Sequence, residues 1–451
     1  MKNLSNSDYK KIHQNVETIQ DEMFNLISEL YPICRSITGD GVRQSLDIIK
    51  KHIDIEKKEV PSGTQVFDWC VPKEWNIFDA YIIDPNGEKI IDFKKSNLHV
   101  VNYSIPIKKK IKLEELKKHI HTIPTQPNII PYITSYYNED WRFCMSHNQL
   151  NKLLPGEYEI CIDSSLKNGS LTYGEYLIKG EIEDEFLLSC YICHPSLCND
   201  NLSGVALLTY LAKYLKNLKT KFSYRFLFIP ETIGAITWLS INENKINKIK
   251  AGLVATCVGD SGNSTYKKTR IGDSKIDKIV SHVLKYSNTN HSIVDFYPYG
   301  SDERQFCSPG FNLPIGSLMR TPYRKFLEYH NSGDNLKFIK KESLGDTFKK
   351  YLECIFIFDK DEKFLNTNPK CEPQLGKRGI YRNIGIVRSD MNTDEIEQRE
   401  LAIFWILNLS DGENSLLDIS KKSGISFEII AEASLKLYEN NLLKHIDDIQ
   451  N

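Results

Sequence analysis

The residues best suited to chemistry stand at the ends of apolar runs. Cys193-His194-Pro195-Ser196-Leu197-Cys198-Asn199-Asp200-Asn201-Leu202-Ser203-Gly204 follows one such run and opens a helical pattern. Imidazole plus carboxylate is an ordinary zinc donor set, and Asn201 and Ser203 are residue types that cap the helix behind them. Pro230-Glu231-Thr232-Ile233-Gly234 closes the next run, and Val258-Gly259-Asp260-Ser261-Gly262 closes the third. Glu328-Tyr329-His330-Asn331-Ser332-Gly333-Asp334 sets another histidine in a turn-rich loop. Singly, each has an ordinary explanation: a loop histidine, a capping aspartate, a first-turn glutamate favoured by the helix dipole. Their recurrence after successive strands favours one shared site, because ligands of an open α/β sheet bind outside the carboxyl ends of its strands. Cys190-Tyr191-Ile192-Cys193 has C-x-x-C spacing, yet it lies in an apolar strand where neighbouring side chains face opposite ways. Such cysteines are expected to act as small hydrophobes. There is no phosphate-cradling glycine loop and no Gly-x-Ser-x-Gly elbow.

The elements that must position these residues can be read from periodicity. Strand patterns at Phe186–Ile192, Tyr224–Ile229, Ala251–Val258 and Leu313–Met319 alternate with helical patterns at Ser203–Leu215, Ile233–Ile241, Ile276–Tyr286 and Ser343–Phe358. That alternation predicts an α/β layer with helices covering a largely parallel sheet. Upstream, Ile19, Met23, Leu26, Ile27 and Leu30 recur at helical spacing. A break at Pro32–Gly41 precedes a second helix through Val42, Leu46, Ile49 and His52. From about Glu59 to Gly174, short aromatic and β-branched runs alternate with turn signals, a mostly β texture with a short helix near Leu113–His119. Its segment Pro131–Tyr137, running on to Trp141, is aromatic-rich; a role in the β core and an interface is favoured over lining one wall of the cleft. Lys360–Arg388 reads as a polar linker. Helical pieces at Thr393–Leu407, Ser415–Ser423 and Ser426–Asn440, with a wing beginning at Leu442, have the winged helix-turn-helix layout.

The chain has 451 residues, enough for two or three domains. With 41% hydrophobic and 26% charged residues it has the balance of a globular protein, which excludes a disordered or fibrous one. No apolar run approaches ~18 residues and no apolar leader opens the chain, so neither a membrane span nor a secretory route is expected. Eleven cysteines without framework spacing point to a reduced, cytoplasmic setting. The net charge of −1 gives the whole molecule no reason to seek nucleic acid. From Asp394 to Asn451 there are five basic and twelve acidic residues, a difference of −7. Glu428, Glu432 and Glu439 stand on the would-be recognition helix against Lys436. DNA binding requires phosphate neutralisation, so a docking or homo-oligomerisation module is the better expectation.

His194, the Asp200–Gly204 run, Glu231 before a glycine, Asp260 and Tyr329–Ser332 together resemble the zinc-dependent aminopeptidases with co-catalytic metals. More closely, the chain resembles a bacterial aminopeptidase-like family often associated with surface-polysaccharide loci. LYPICRSITGDG, IPYITSYY, CHPS, NDNLSG, PETIG, SDERQF and YHNSGD carry that resemblance over nearly the full length. It implies an aminopeptidase core in residues 1–58 and 175–359, and an inserted β-rich domain in 59–174. A linker in 360–388 and a winged helix-turn-helix domain in 389–451 would follow. It implies His194, Asp200, Asp260 and His330 as metal ligands and Glu231 as general base. It also sets the Tyr299–Arg304 turn beside the pocket, where Asp302 or Glu303 would meet a substrate amine and Arg304 or Arg320 a carboxylate. Tyr323 and Tyr329 would be placed to steady an oxyanion.

Two departures bear on the metal. The aminopeptidase pattern has two adjacent glutamates, whereas Thr232 follows Glu231 here. It also has an aspartate two positions after the ligand histidine, where this chain has Ser196. A weakened second site is expected, with one zinc held by His194, Asp200 and His330 and with Asp260 nearby, and two zincs as the alternative. The implied activity is hydrolysis of an amide beside a free amino group in a small peptide or aminoacyl compound. The other classes are a single-zinc amide-forming or cyclising enzyme and a non-catalytic sensor acting through the winged helix.

Overall fold

A computed structural model describes residues 6–380 and 393–446. Its centre is an eight-stranded mixed sheet. The strand order is Glu56–Pro61, Ser170–Ile178, Ser223–Ile229, Glu185–Tyr191, Ile249–Val254, Ile315–Met319, Ser264–Lys267, His291–Val294. The four central strands are mutually parallel, and antiparallel pairs lie toward both edges. Glu185–Tyr191 is buried at every position, the signature of a strand covered on both faces. The chain leaves it for Ser223–Ile229 on one side and later for Ile249–Val254 on the other. The topological switch point therefore falls beside its carboxyl end.

Helices Val16–Leu30, Asp40–Lys50, Ser203–Leu215, Lys275–Tyr286 and Lys341–Lys360 contribute to one large core against this sheet. Ser203–Leu215 is apolar nearly all round because it is buried between the sheet and other helices. Periodicity predicts most of these elements within a few residues. It misses the Ser264–Lys267 and His291–Val294 strands, the latter exposed at the sheet edge with no inward-facing alternation to betray it.

Within 59–174 the largest sheet has four antiparallel strands in the order Lys89–Asp92, Glu74–Ile83, Glu157–Lys167, Ile107–Lys112. Its core gathers Ile82, Val100, Trp141, Phe143 and Ile160. At the other end, Leu416–Ser423 and Phe427–Glu439 form the helix-turn-helix, with Gly424 in the left-handed conformation between them. Lys363–Asn366, inside the stretch expected to be linker, is the central strand of a three-stranded sheet with Asp411–Ser415 and Leu443–His445. Residues 381–392 of the expected linker and domain start lie outside the described residues. Among the described residues no helix is long and apolar enough to cross a membrane.

Candidate metal centre

The loop after Glu185–Tyr191 carries His194 and Asp200, and the loop after Ile315–Met319 carries His330. Their donor atoms lie within 4.8 Å of one another, and this is the one such group among the described residues. His330 Nε2 and Asp200 Oδ2 approach to 3.0 Å. Neither atom has a hydrogen-bonding partner although both are buried. Two donors that face each other without hydrogen-bond geometry suit a shared cation. Two imidazoles and one carboxylate match zinc in a site with an open position.

Several partners hold this trio. Tyr191 and Asp200 Oδ1 are hydrogen-bonded, and Thr256 Oγ1 lies 2.7 Å from the same hydroxyl. Asp334 accepts the backbone N–H groups of Asn199 at 2.6 Å and Asp200 at 2.9 Å. The Asn199 carboxamide bonds Asp260 Oδ2 and the backbone N–H of Gly259. Asn201 donates to Ala255 O. NDNLSG thus ties the metal loop to the end of the neighbouring strand. From the N-terminal segment, buried Arg35 donates to His194 O, and Ser196 Oγ donates to Tyr31 O. Tyr132, from the aromatic stretch expected to be core and interface, packs 5.1 Å from the His194 ring and 5.2 Å from the His330 ring. Its N–H donates to His330 O. The 59–174 segment therefore supplies a wall of the centre. A tyrosine in an aromatic cluster gave no periodic signal to separate wall from core.

Burial alone would raise the Asp200 carboxyl. The His194 and His330 imidazoles and the Tyr191 hydroxyl outweigh it and hold the group down at about 2. Burial lowers His194 to about 4, so the imidazole is neutral and its lone pair free. Metal ligands need those states.

Glu231 lies at the rim, with 28% of its side chain exposed and its Oε2 3.7 Å from His194 Nε2. Loss of solvation and then the nearby Asp302 and Asp200 charges push its carboxyl well above the ordinary range. Thr232 takes a left-handed φ of 63°. Its N–H donates to Asp302 Oδ1 at 2.7 Å, and its hydroxyl accepts from Arg304 Nη2 at 3.0 Å. Asp302 is fully buried, and burial raises it to about 7. Glu303 forms a buried ion pair with Lys267 at 2.7 Å. Asp302 and Arg304 therefore brace the Glu231 turn, and Glu303 is engaged beneath the surface. Tyr329 stacks on His330 with centroids 4.0 Å apart.

Asp260 is not among the clustered donors. Its carboxylate accepts from Asn199, from the Gly262 and Thr321 backbones and from the Thr321 hydroxyl. Cys190, Cys193 and Cys198 are buried free thiols. Cys193 accepts the Glu231 N–H, and burial keeps its thiol protonated.

Residues 24–361 match a family described as a domain of unknown function (DUF4910), and residues 362–445 match a winged helix-turn-helix family. A Clostridium acetobutylicum protein is 58% identical over 97% of this chain and 99% of its own length. It is named as a candidate polysaccharide biosynthesis protein with an aminopeptidase-like domain. A crystal structure of a candidate peptidase from the same organism superposes with a TM-score of 0.91 at 56% identity, covering 97% of this chain and 99% of that one. A zinc aminopeptidase from Bacillus subtilis shares the fold with a TM-score of 0.54 at 12% identity, covering 75% of this chain and 94% of that one.

Proposed function

The chain belongs to the DUF4910 family joined to a winged helix-turn-helix module, on an aminopeptidase-like fold, and from that premise we propose that it is a zinc-dependent hydrolase of the aminopeptidase type. The observation that carries this reading is the His194, Asp200 and His330 cluster with Glu231 3.7 Å from one donor. In this reading residues 1–58 and 175–359 are the catalytic body, and 59–174 is an insertion that contributes Tyr132. The substrate is a small peptide or aminoacyl compound with a free amino group, in keeping with the relative named for polysaccharide biosynthesis.

Zinc, when held by these three side chains, lowers the pKa of water and polarises a carbonyl. The remaining work falls to the chain itself. Glu231 Oε2 takes the proton of the attacking water and passes it to the departing amine. Its Oε2 lies 3.7 Å from His194 Nε2, within reach of a nucleophile at the donor cluster. Asp302 and Arg304 keep the Thr232 turn closed so that Glu231 stays in reach. Tyr132 and Tyr329 flank the histidines and exclude bulk water.

One ligand group among the described residues, and Thr232 where a second carboxylate would stand, favour a single zinc. That arrangement also admits attack by an internal amine. Hydrolysis in ¹⁸O-labelled water separates the two, since only attack by water leaves label in the acid product. The decisive variant is Glu231→Gln. It is expected to retain zinc and lose turnover of aminoacyl amides by about 10²–10⁴-fold. A zinc-loaded parent protein inert toward aminoacyl anilides and aminoacylated amino sugars alike would overturn the enzyme reading.

A further inference from the structure

Asp200 offers its two carboxylate oxygens unequally. Oδ2 faces His330 Nε2 at 3.0 Å and has no hydrogen-bonding partner. Oδ1 accepts the Tyr191 hydroxyl. We propose that Tyr191 is a positioning residue that confines Asp200 to one donor oxygen and so sets the centre for a single four-coordinate divalent ion. The proposal rests on the zinc reading above and deepens it, naming the residue that decides ion count and coordination.

The place of the phenol follows from the strand that carries it. Tyr191 ends Glu185–Tyr191, which is buried at every position. Its ring centroid lies 5.0 Å from that of His194, and its hydroxyl lies 2.7 Å from Thr256 Oγ1, just past the end of the neighbouring strand Ile249–Val254. A phenol carries one proton to donate, and here it goes to Asp200 Oδ1. Asp334 accepts the backbone N–H of Asp200 at 2.9 Å. The residue is thus held at its backbone and at one oxygen, and Oδ2 alone is left for an ion. A carboxylate bridges two ions by giving an oxygen to each, or chelates one ion by giving both. Either arrangement needs Oδ1. A cation there would meet the positive end of the O–H dipole at short range in a buried setting, where like signs repel strongly. Phenol and ion therefore compete for the same oxygen. Asp260 gives a second ion no other anchor, because both of its oxygens already accept hydrogen bonds. Two imidazoles and one carboxylate oxygen leave one open position in a tetrahedral set.

The test uses the full chain, stripped of metal and reloaded with cobalt(II). Visible absorption of that ion is intense in four-coordinate sites and weak in sites of higher coordination, so it reports geometry directly. The parent is expected to saturate at one equivalent with the intense band. Tyr191→Phe keeps the ring and removes only the proton that holds Oδ1. Its loaded form is expected to lose band intensity as Oδ1 joins the ion, and to hold zinc about 10–100-fold less tightly in a chelator competition. A merely structural tyrosine would change unfolding stability and leave the band of the loaded protein as it was. An unchanged band in Tyr191→Phe, a weak band in the parent, or two tightly held cobalt ions per parent chain would each overturn the proposal. The two parent measurements decide the matter if Tyr191→Phe does not fold. A parent that takes no cobalt removes the zinc reading and this proposal together. Metal counts and spectra need no turnover, so a loaded but inert chain sinks the hydrolase reading alone.

Discussion

Asp260 receives hydrogen bonds from the Asn199 carboxamide, two backbone N–H groups and the Thr321 hydroxyl. A carboxylate so occupied holds the fold in place. Asp260→Asn turns one acceptor into a donor facing donors and is expected to cost about 1–3 kcal/mol in urea unfolding. Its zinc affinity should stay near that of the parent in a chelator competition. Asp200→Asn and His330→Ala should each lose more than the roughly 10–100-fold typical of a supporting partner. Loss of zinc in Asp260→Asn with stability intact would restore Asp260 as a ligand. That His194, Asp200 and His330 would gather at one place was legible because a histidine or acid after an apolar strand is a local signal. Asp260 gives the same local signal, and only its spatial neighbours Asn199 and Thr321 set it apart from the cluster. Tyr191 and Asp334 were not legible as support, since their partners are backbone groups and carboxylates brought in by folding.

The segment 31–39, with the first turn of the Asp40–Lys50 helix, shows how a stretch largely without helix or strand can still be fixed in place. Gly39 has a φ of 93°, and a Cβ on Gly41 would come within 2.0 Å of the Cys34 carbonyl oxygen. Arg35 is fully buried, and burial lowers its pKa to about 10. Its guanidinium bonds Leu30 O and His194 O. Gly41→Ala therefore forces backbone apart at the loop that braces the metal loop. It should cost roughly 1–3 kcal/mol by thermal unfolding, with weakened zinc retention as the readout particular to this loop. Periodicity located the helices on either side, because their buried stripes repeat every three to four residues. The loop's course depends on close approaches between distant backbones, which periodicity does not record. For the same reason Lys363–Asn366 reads as linker until its partner strands are in place.

At the scale of the whole molecule, the winged helix-turn-helix is fused to the body. Phe427 packs 6.1 Å from Phe356, which in turn stacks on Tyr9. Lys10 pairs with Glu428 and Glu432 of the Phe427–Glu439 helix. The helix that would enter a DNA groove thus presents acids and spends two of them on the body. Gel shifts with mixed-sequence duplexes at low salt are expected to show no complex, and a salt-sensitive shift would refute this. The same junction holds a pH-sensitive group. His282 is 3% exposed, and burial followed by Lys421 of the helix-turn-helix and Lys285 lowers it to about 4 from 6.5. The unfolded chain therefore binds more protons between those values. Stability is complete above about pH 6.5 and falls on acidification toward pH 4, by at most about 3 kcal/mol from this group. His282→Gln should flatten that part of the profile in urea titrations at pH 7.5 and 5, and an unchanged slope would remove His282 as its source.

The Val16–Leu30 helix rests on the Lys341–Lys360 helix, so the first layer of the core is completed by nearly the last segment of the body. During synthesis at about 5–20 residues per second, the apolar stripe of Ile19, Met23, Ile27 and Leu30 meets Ser203–Leu215 first and waits on the order of 15–60 s for Lys341–Lys360 to complete its cover. Through that interval the nascent chain displays a face only partly covered. A chain cut before residue 341 lacks one of that face's two partners and is expected to partition into the pellet of a sedimentation assay, where the full chain stays in the supernatant.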